Sequence, residues 1–415
     1  MSQIPVVDGT YRFVSSVNAV ILVACLFSFP MRAFSLQKMV NFFLLFFFVI
    51  ANAIQYSTNT LTSSVSERLT TEDYVTFQIL VFFIIVLFNV FYIVFNKRKI
   101  VIKEDHLPLE YRGNRLVLLS LVSLLLVLLY YRNDILHLFI KGFLEDQANY
   151  GELESEGAMG LIFSKFLRPI PFACLLIAHY AKISKLQRLM LFLTMLIALF
   201  PLGISRNAVA MYWLPVVLVS FARLKRGNLF VLSILVGLLV FFPFLEEFRY
   251  WTGSLSDYHY SLEFLNSMHF DSSQEFMIVM KRGIVTWGHQ LLGAILFFLP
   301  RAIWPTKPIG SGAFVAEMDG AFGNISMPFW GEGFINFDLL GVLAFTLLLS
   351  FFCAYMDKSY WQKGSAKVLE PYYLLFVGAI IFVLRGDLMS SLSYTLGAVA
   401  CIYVVKLLSA KKQTC

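Results

Sequence analysis

The sequence predicts an all-α, polytopic membrane protein, and three observations carry that prediction. The chain of 415 residues is 59% hydrophobic and only 14% charged, whereas soluble domains run at about 45–50% apolar and about 25% charged. Its mean hydropathy is +0.74. The apolar residues, 43 phenylalanines among them, come in runs of about 17–23, enough to cross roughly 30 Å of hydrocarbon at about 1.5 Å per residue. Lipid offers the backbone no hydrogen-bond partners, so spans of this length form helices rather than a barrel. They continue to the end of the chain, and a single polytopic domain over 1–415 is expected.

Spans are read at 12–30, 38–55, 74–95, 116–131, 158–180, 187–204, 207–222, 228–246, 333–355, 369–385 and 388–408, about eleven in all. Lys and Arg set their direction. The loop 96–115 carries Lys97, Arg98, Lys99, Lys103, Arg112 and Arg115 and is assigned to the cytoplasm. Counting alternately from it, the other inside segments hold Arg32 and Lys38; Lys182, Lys185 and Arg188; Arg223, Lys225 and Arg226; Lys358, Lys363 and Lys367; and Lys406, Lys411 and Lys412. Outside loops carry acids, including Glu145, Asp146, Glu152, Glu154 and Glu156. The expected topology has the N-terminus outside and the C-terminus inside. The net charge of +7 then reflects this inside bias rather than a nucleic-acid partner. The start, MSQIPVVDGTYRF, lacks a cationic leader region, so the first span is expected to remain.

This alternation requires that 283–300 not cross the membrane. Its apolar core, LLGAILFFLP, is too short to span and suits an interfacial or re-entrant piece. Phe276, Met280, Ile284, Trp287 and Leu291 fall at helical spacing, opposite Gln274, Lys281, Arg282 and Gln290. The reading is a helix lying in the outer interface and then dipping inward. Residues 248–332 thus form one large extracytoplasmic segment. No internal repeat of the kind found in many secondary transporters is evident.

Several chemistries lack a signature. There is no GxxxxGK[ST] or GxGxxG for nucleotides, no HExxH, and no DxD pair on a loop. The five cysteines form no CxxC, and the six histidines are scattered, so neither a disulfide framework nor a bound metal is indicated. No cofactor is expected, and the energy of any reaction must arrive in the substrate.

The positive signal is a set of outward cations beside turns and aromatics: Arg206 in FPLGISRNAV, Arg249, Arg282, Arg301, Lys307, and Arg385 in VLRGDLM. A planar guanidinium pairs bidentately with phosphate oxygens, which suits a diphosphate; the plain alternative is an interface anchor. Lys165 and Arg168, in GLIFSKFLRPIPF, lie inside a span, roughly 10–15 Å below its outer end. Spaced i,i+3 they share a face, and face either a cavity or an internal ion pair. Candidates for proton transfer are Glu332 and His289, with Asp387, Asp271, Glu275, Glu317 and Asp319 behind them. Glu332 sits at the mouth of a span and equally suits neutralising Arg301 or Lys307. His289 equally suits an interfacial anchor. Trp304 and Trp330, like Trp287, suit stacking on a sugar or an aromatic belt.

The runs LPRAIWPTKPIGSGAFVAEM and NISMPFWGEGFINFDLLGVL, with PLGISRNAVAMYWLPV before them and RGDLMSSLSY after, resemble segments of the O-antigen polymerases, the Wzy-type oligosaccharide repeat-unit polymerases. The resemblance covers most of the second half of the chain; the first half matches in hydropathy and length. Two R-x10-G spacings, Arg282 to Gly293 and Arg301 to Gly312, are similar to a pattern in some members. The resemblance implies a GT-C-like glycosyltransferase of the bacterial inner membrane, with its active site facing the periplasm. Such an enzyme moves the growing glycan from its undecaprenyl diphosphate onto a new lipid-linked repeat unit. It implies membrane lipid and a chain-length regulator protein as partners. Arg206, Arg301 and Arg385 match arginine positions of the family's segments, and Glu332 matches an acid before a late span. Two other readings share parts of this pattern: an O-antigen ligase delivering glycan to lipid A–core, and a lipid-linked oligosaccharide transporter. A transporter calls for charged residues lining spans in both halves, and beyond Lys165 and Arg168 the spans carry few. A purely structural membrane partner leaves the outward arginines unexplained.

Overall fold

The computed structural model describes residues 8–28, 32–63, 65, 67–97, 110–132, 135–139, 163–241, 262–318, 320, 325–362 and 369–411. Among them every regular element is helical, apart from a single antiparallel bridge between Tyr111 and Ala410. Among the described residues seven helices are long and apolar enough to cross a membrane: α1 (Gly9–Phe27), α2 (Leu36–Thr58), α3 (Thr71–Lys97), α4 (Gly113–Tyr130), α6 (Lys185–Ala198, continued by a 3-10 turn to Gly203), α12 (Phe329–Trp361) and α14 (Leu388–Ser409). The chain is a helical, multi-pass membrane protein. The four other expected spans fall on shorter helices: α5 (Ile170–Ala178), α7 (Arg206–Ser220), α8 (Leu229–Val236) and α13 (Glu370–Arg385).

The chain divides into two compact units. The first comprises Met1–Ile100, Ala222–Lys358 and Val383–Ser391; the second comprises Val101–Phe221, Ser359–Phe382 and Leu392–Cys415.

In the first unit α2 is the central helix, buried without interruption over residues 36–49. A helix enclosed by protein must satisfy its ends and its polar side chains from neighbours. Asp357 supplies the start of α2: Oδ1 accepts from the Leu36 amide at 2.8 Å, and Oδ2 from the Gln37 amide at 3.2 Å and the Tyr92 hydroxyl at 2.8 Å. Further along, Asn41 pairs with Asn89, Asn52 accepts from Tyr11 and Gln78, and Gln55 donates to the carbonyls of Leu265 and Phe270. These rungs fix the rotation of α1, α3 and the 262–270 turn about α2. Measured interhelical hydrogen bonds in membranes average about 0.6 kcal/mol each. Together they specify register more than they add stability.

The segment expected to lie in the outer interface is instead two helices. α9 (Ser272–Arg282) ends at Gly283, whose φ of 59° is left-handed, and α10 (His289–Ile295) starts after Gly288, with φ 88°. The apolar stripe from Phe276 to Leu291 is therefore not continuous, and Trp287 between the two helices is 79% exposed. α9 is also not amphipathic in use: residues 272–279 are all buried, including Gln274, which bonds Thr60, Thr62 and Tyr74. Side-chain amides with full sets of partners let a polar face pack inside the unit.

α12 is not a single rod. Phe337 and Asp338 have non-helical dihedrals, with Asp338 at φ 56°, ψ −150°. The first eight residues fold back against the rest. Phe329 packs on Phe345 with ring centroids 4.9 Å apart, and the Trp330 indole N–H donates to Thr346 Oγ1 at 3.0 Å. Gly333 and Gly341 let the two limbs touch backbone to backbone; a methyl group at Gly341 would lie 1.9 Å from the Gly333 carbonyl oxygen.

In the second unit, α4, α5 and α6 pack together, with Ser120 and Thr194 sharing a hydrogen bond of 2.6 Å and Ser123 donating to the Leu167 carbonyl at 2.7 Å. The end of α14 is closed by the chain before α4: the Arg112 amide donates to Ser409 O at 2.9 Å, and Lys411 pairs with Glu110 at 2.8 Å.

Candidate functional site

The densest buried polar cluster among the expected residues lies in the first unit, where the short limb of α12 meets the starts of two other helices. Glu332, on that limb, is 1% exposed. Its Oε2 accepts from the Ser311 hydroxyl at 2.7 Å, at the start of α11 (Ser311–Met318), and its Oε1 accepts from the Leu388 amide at 2.9 Å, at the start of α14. Asp387 stands beside it. Its Oδ1 accepts from the Ser390 amide at 2.9 Å and its Oδ2 from the Gly312 amide at 3.4 Å. Each of the two carboxyl groups faces a helix N-terminus, where amides without intrahelical partners carry partial positive charge.

One wall is the turn at 300–310. Arg301 is exposed, and its Nη1 donates to the Lys307 carbonyl at 2.7 Å. Lys307 is half-buried and donates to the carbonyls of Phe297 and Leu299, the last at 3.0 Å, closing the chain that follows α10. Burial holds the Lys307 ammonium below its ordinary pKa, and the nearby Arg301 charge lowers it further. Trp304, half-buried in the same turn, donates to Thr306 Oγ1 at 3.1 Å. Two cations and an indole are thus presented within a few residues. From Lys307 to Ser311 the chain spans at most about 14 Å.

A second polar group forms at the 268–271 turn, reached by Arg385, two residues before Asp387 in the chain. Arg385 donates from Nε to the His269 carbonyl at 2.8 Å and from Nη2 to the Met268 carbonyl at 3.2 Å, and it stands 3.5 Å from Asp271. Asp271 is 2% exposed and also accepts from the Ser326 amide at 3.1 Å. Burial pushes its carboxyl above the usual carboxylate range, against the pull of Arg385.

The remaining expected residues separate. His289 is exposed at the start of α10. Arg282 is held by Glu67, with Nε 2.9 Å from Oε2. Trp330 cannot stack on a sugar: it is 0% exposed, enclosed by Phe43, Phe48 and Phe329. Glu332 does not neutralise Arg301 or Lys307 by any ion pair among the described residues; its partners are a hydroxyl and an amide.

Arg206, Lys165 and Arg168 belong to the second unit. Lys165 donates to Ser393 Oγ at 2.8 Å and lies 4.9 Å from the Tyr394 ring centroid. Arg168 donates to the carbonyls of Ala198 at 2.7 Å and Gly203 at 3.2 Å, the negative end of α6. Arg206 starts α7 behind the Ser205 cap. Arg249 and Asp319 lie outside the described residues, as do the acids of the 132–157 loop. Among the described residues no group of His, Cys, Asp and Glu has the makings of a metal site.

Sequence reasoning missed Ser311 and the fold-back of α12. The signal for the second was present: Gly331, Gly333 and Gly341 interrupt a run otherwise rich in large apolar side chains, and small residues mark close helix contacts in membranes. No family model, no curated protein and no solved structure matches this chain.

Proposed function

We propose that the protein polymerises lipid-diphosphate-linked oligosaccharide repeat units at the outer face of a bacterial inner membrane. The observation that carries this reading is the meeting at Glu332 of segments far apart in the chain: Ser311, the short limb of α12, and Leu388 at the start of α14. These are three of the four segments whose sequence resembles the O-antigen polymerases. The chain is then a GT-C-like protein of about eleven spans, with the shorter apolar helices completing the count. In this reading the half-helix at 329–336 dips from the outer surface, with Glu332 roughly 6 Å along it from its end at Asn336.

In this reading Arg301 and Lys307 grip the diphosphate, and Trp304 offers an aromatic face to a sugar. The hydroxyl oxygen of the incoming repeat unit attacks the anomeric carbon of the growing glycan. The bond from that carbon to the diphosphate oxygen breaks, and the electron pair leaves with the lipid diphosphate, whose growing charge the cations stabilise. The hydroxyl proton passes to Glu332; His289 is the exposed alternative. A positioned base contributes typically about 10²–10⁴-fold, and one donor to the leaving charge about 10²–10³-fold.

The test is purified protein with a synthetic undecaprenyl-diphosphate repeat unit. A ladder of products lengthening by one unit is expected. Transfer to a lipid A–core acceptor with no ladder would instead identify a ligase, and movement of the intact substrate across a vesicle membrane a transporter.

A further inference from the structure

Glu332 is out of reach as the structure stands, and what covers it is specific. Residues 310–312 cross it as a strap. Ser311, 3% exposed, occupies one carboxylate oxygen, and the Gly312 amide turns toward Asp387. The fit between strap and Asp387 is close: a methyl group at Gly310 would lie 2.4 Å from Oδ2, 2.7 Å from Cγ and 2.8 Å from Oδ1 of Asp387, and these are its three nearest neighbours. At Gly312 a methyl group would lie 2.1 Å from the Ile325 carbonyl oxygen. Asp387 is itself fixed, because Oδ1 caps α14 through the Ser390 amide. The strap therefore has one seat, set by the Asp387 carboxylate, and that seat decides whether Ser311 rests on Glu332.

We propose that Asp387 is a positioning residue: it seats the 310–312 strap over Glu332 and so controls when an acceptor hydroxyl can meet that carboxylate. Asp387 touches no reacting atom in this scheme and acts through the strap. The inference rests on the polymerase reading for its meaning, while the seat itself is judged without any substrate.

Two measurements on the full-length protein in detergent test it. The first is a thermal-stability cycle. Gly310→Ala is expected to lower the unfolding midpoint. Asp387→Asn, which keeps the volume, leaves that penalty in place in the double variant. Asp387→Ala removes all three contacted atoms, so Gly310→Ala costs less in that background than in the wild type. The second is maleimide labelling of Ser311→Cys in a background with the native cysteines replaced. Labelling is slow with Asp387 present and rises about 10–100-fold with Asp387→Ala, as expected for loss of a hydrogen bond to a charged acceptor. In the polymerisation assay Asp387→Ala changes kcat and leaves KM for the lipid-linked substrate unchanged. Additive penalties together with unchanged labelling would overturn the seat. If the cycle and labelling behave as expected but the wild type forms no ladder, the polymerase reading fails and the strap stands. Equal changes in kcat and KM would reduce Asp387 to a general structural role.

Discussion

Arg301 and Trp330 sat in the same expected site, and their surroundings assign them opposite work. Arg301 is exposed and tied to the protein through the Lys307 carbonyl, so its remaining donors face outward. Arg301→Ala is expected to cut ladder formation by about 10²–10³-fold with little change in the unfolding midpoint; unchanged chain lengths in cells would remove it from the diphosphate grip. Trp330 is enclosed by aromatic rings and bonded to Thr346. Trp330→Ala should therefore act on folding, at about 3–5 kcal/mol, visible as a lost or strongly lowered unfolding transition. Asp271 adds a pH dependence. A carboxyl whose folded pKa is raised by burial contributes stability fully present below its unfolded pKa of about 3.9 and lost as pH rises through the folded value. The midpoint of the wild type should fall across that window, and Asp271→Asn should flatten the fall. An equal slope in both proteins would show that Asp271 is not its source.

The hairpin in α12 depends on two backbone positions. Asp338 holds φ 56°, ψ −150°, a region left almost entirely to glycine and costing about 1–3 kcal/mol for other residues. Asp338→Gly is expected to raise the unfolding midpoint, offset in part by loss of the bond that Asp338 Oδ1 accepts from the Leu339 amide. Gly341→Ala should do the reverse, because a methyl there meets the Gly333 carbonyl and forces the limbs apart. If Gly341→Ala left both midpoint and activity unchanged, the fold-back would not be needed for the site. The apolar pattern could not reveal this reversal. Both limbs are helical and mostly apolar, and a hydropathy window sees one span where the backbone makes a hairpin. The two breaks at Gly283 and Gly288 were hidden for a similar reason: helical spacing from Phe276 to Leu291 continues across them, while left-handed backbone at either glycine ends it.

Across the whole molecule, the helical membrane class was legible in composition and run length, and the seven long helices fall where apolar runs were read. Span direction rests on Lys and Arg bias alone. It predicts that a cysteine placed at Thr306, in the cationic turn, is labelled from outside the cell by an impermeant reagent, whereas one at Glu110, beside the last helix, is not. The opposite pattern would reverse the topology and put the proposed site on the cytoplasmic face. Of the candidate site, residue types were readable but not their company. A sequence shows that Arg301, Lys307 and Trp304 are close because they are neighbours in the chain. It does not show that Ser311 and Leu388 meet Glu332, since those contacts join positions 21 and 56 residues apart.

Composition and run length alone name the solvent this chain lives in: runs of apolar residues of bilayer length leave helices as the workable structure, because each backbone group must be satisfied within its own segment. Which polar groups are used up and which are presented depends on how the helices pack. Trp330 and Gln274 vanish into the interior, Arg282 is claimed by Glu67, and Glu332 is covered by a strap seated on Asp387. Hydrophobicity is additive along a chain and survives being read one residue at a time. Burial and hydrogen bonding belong to pairs of residues, and those pairs exist only once the helices have met.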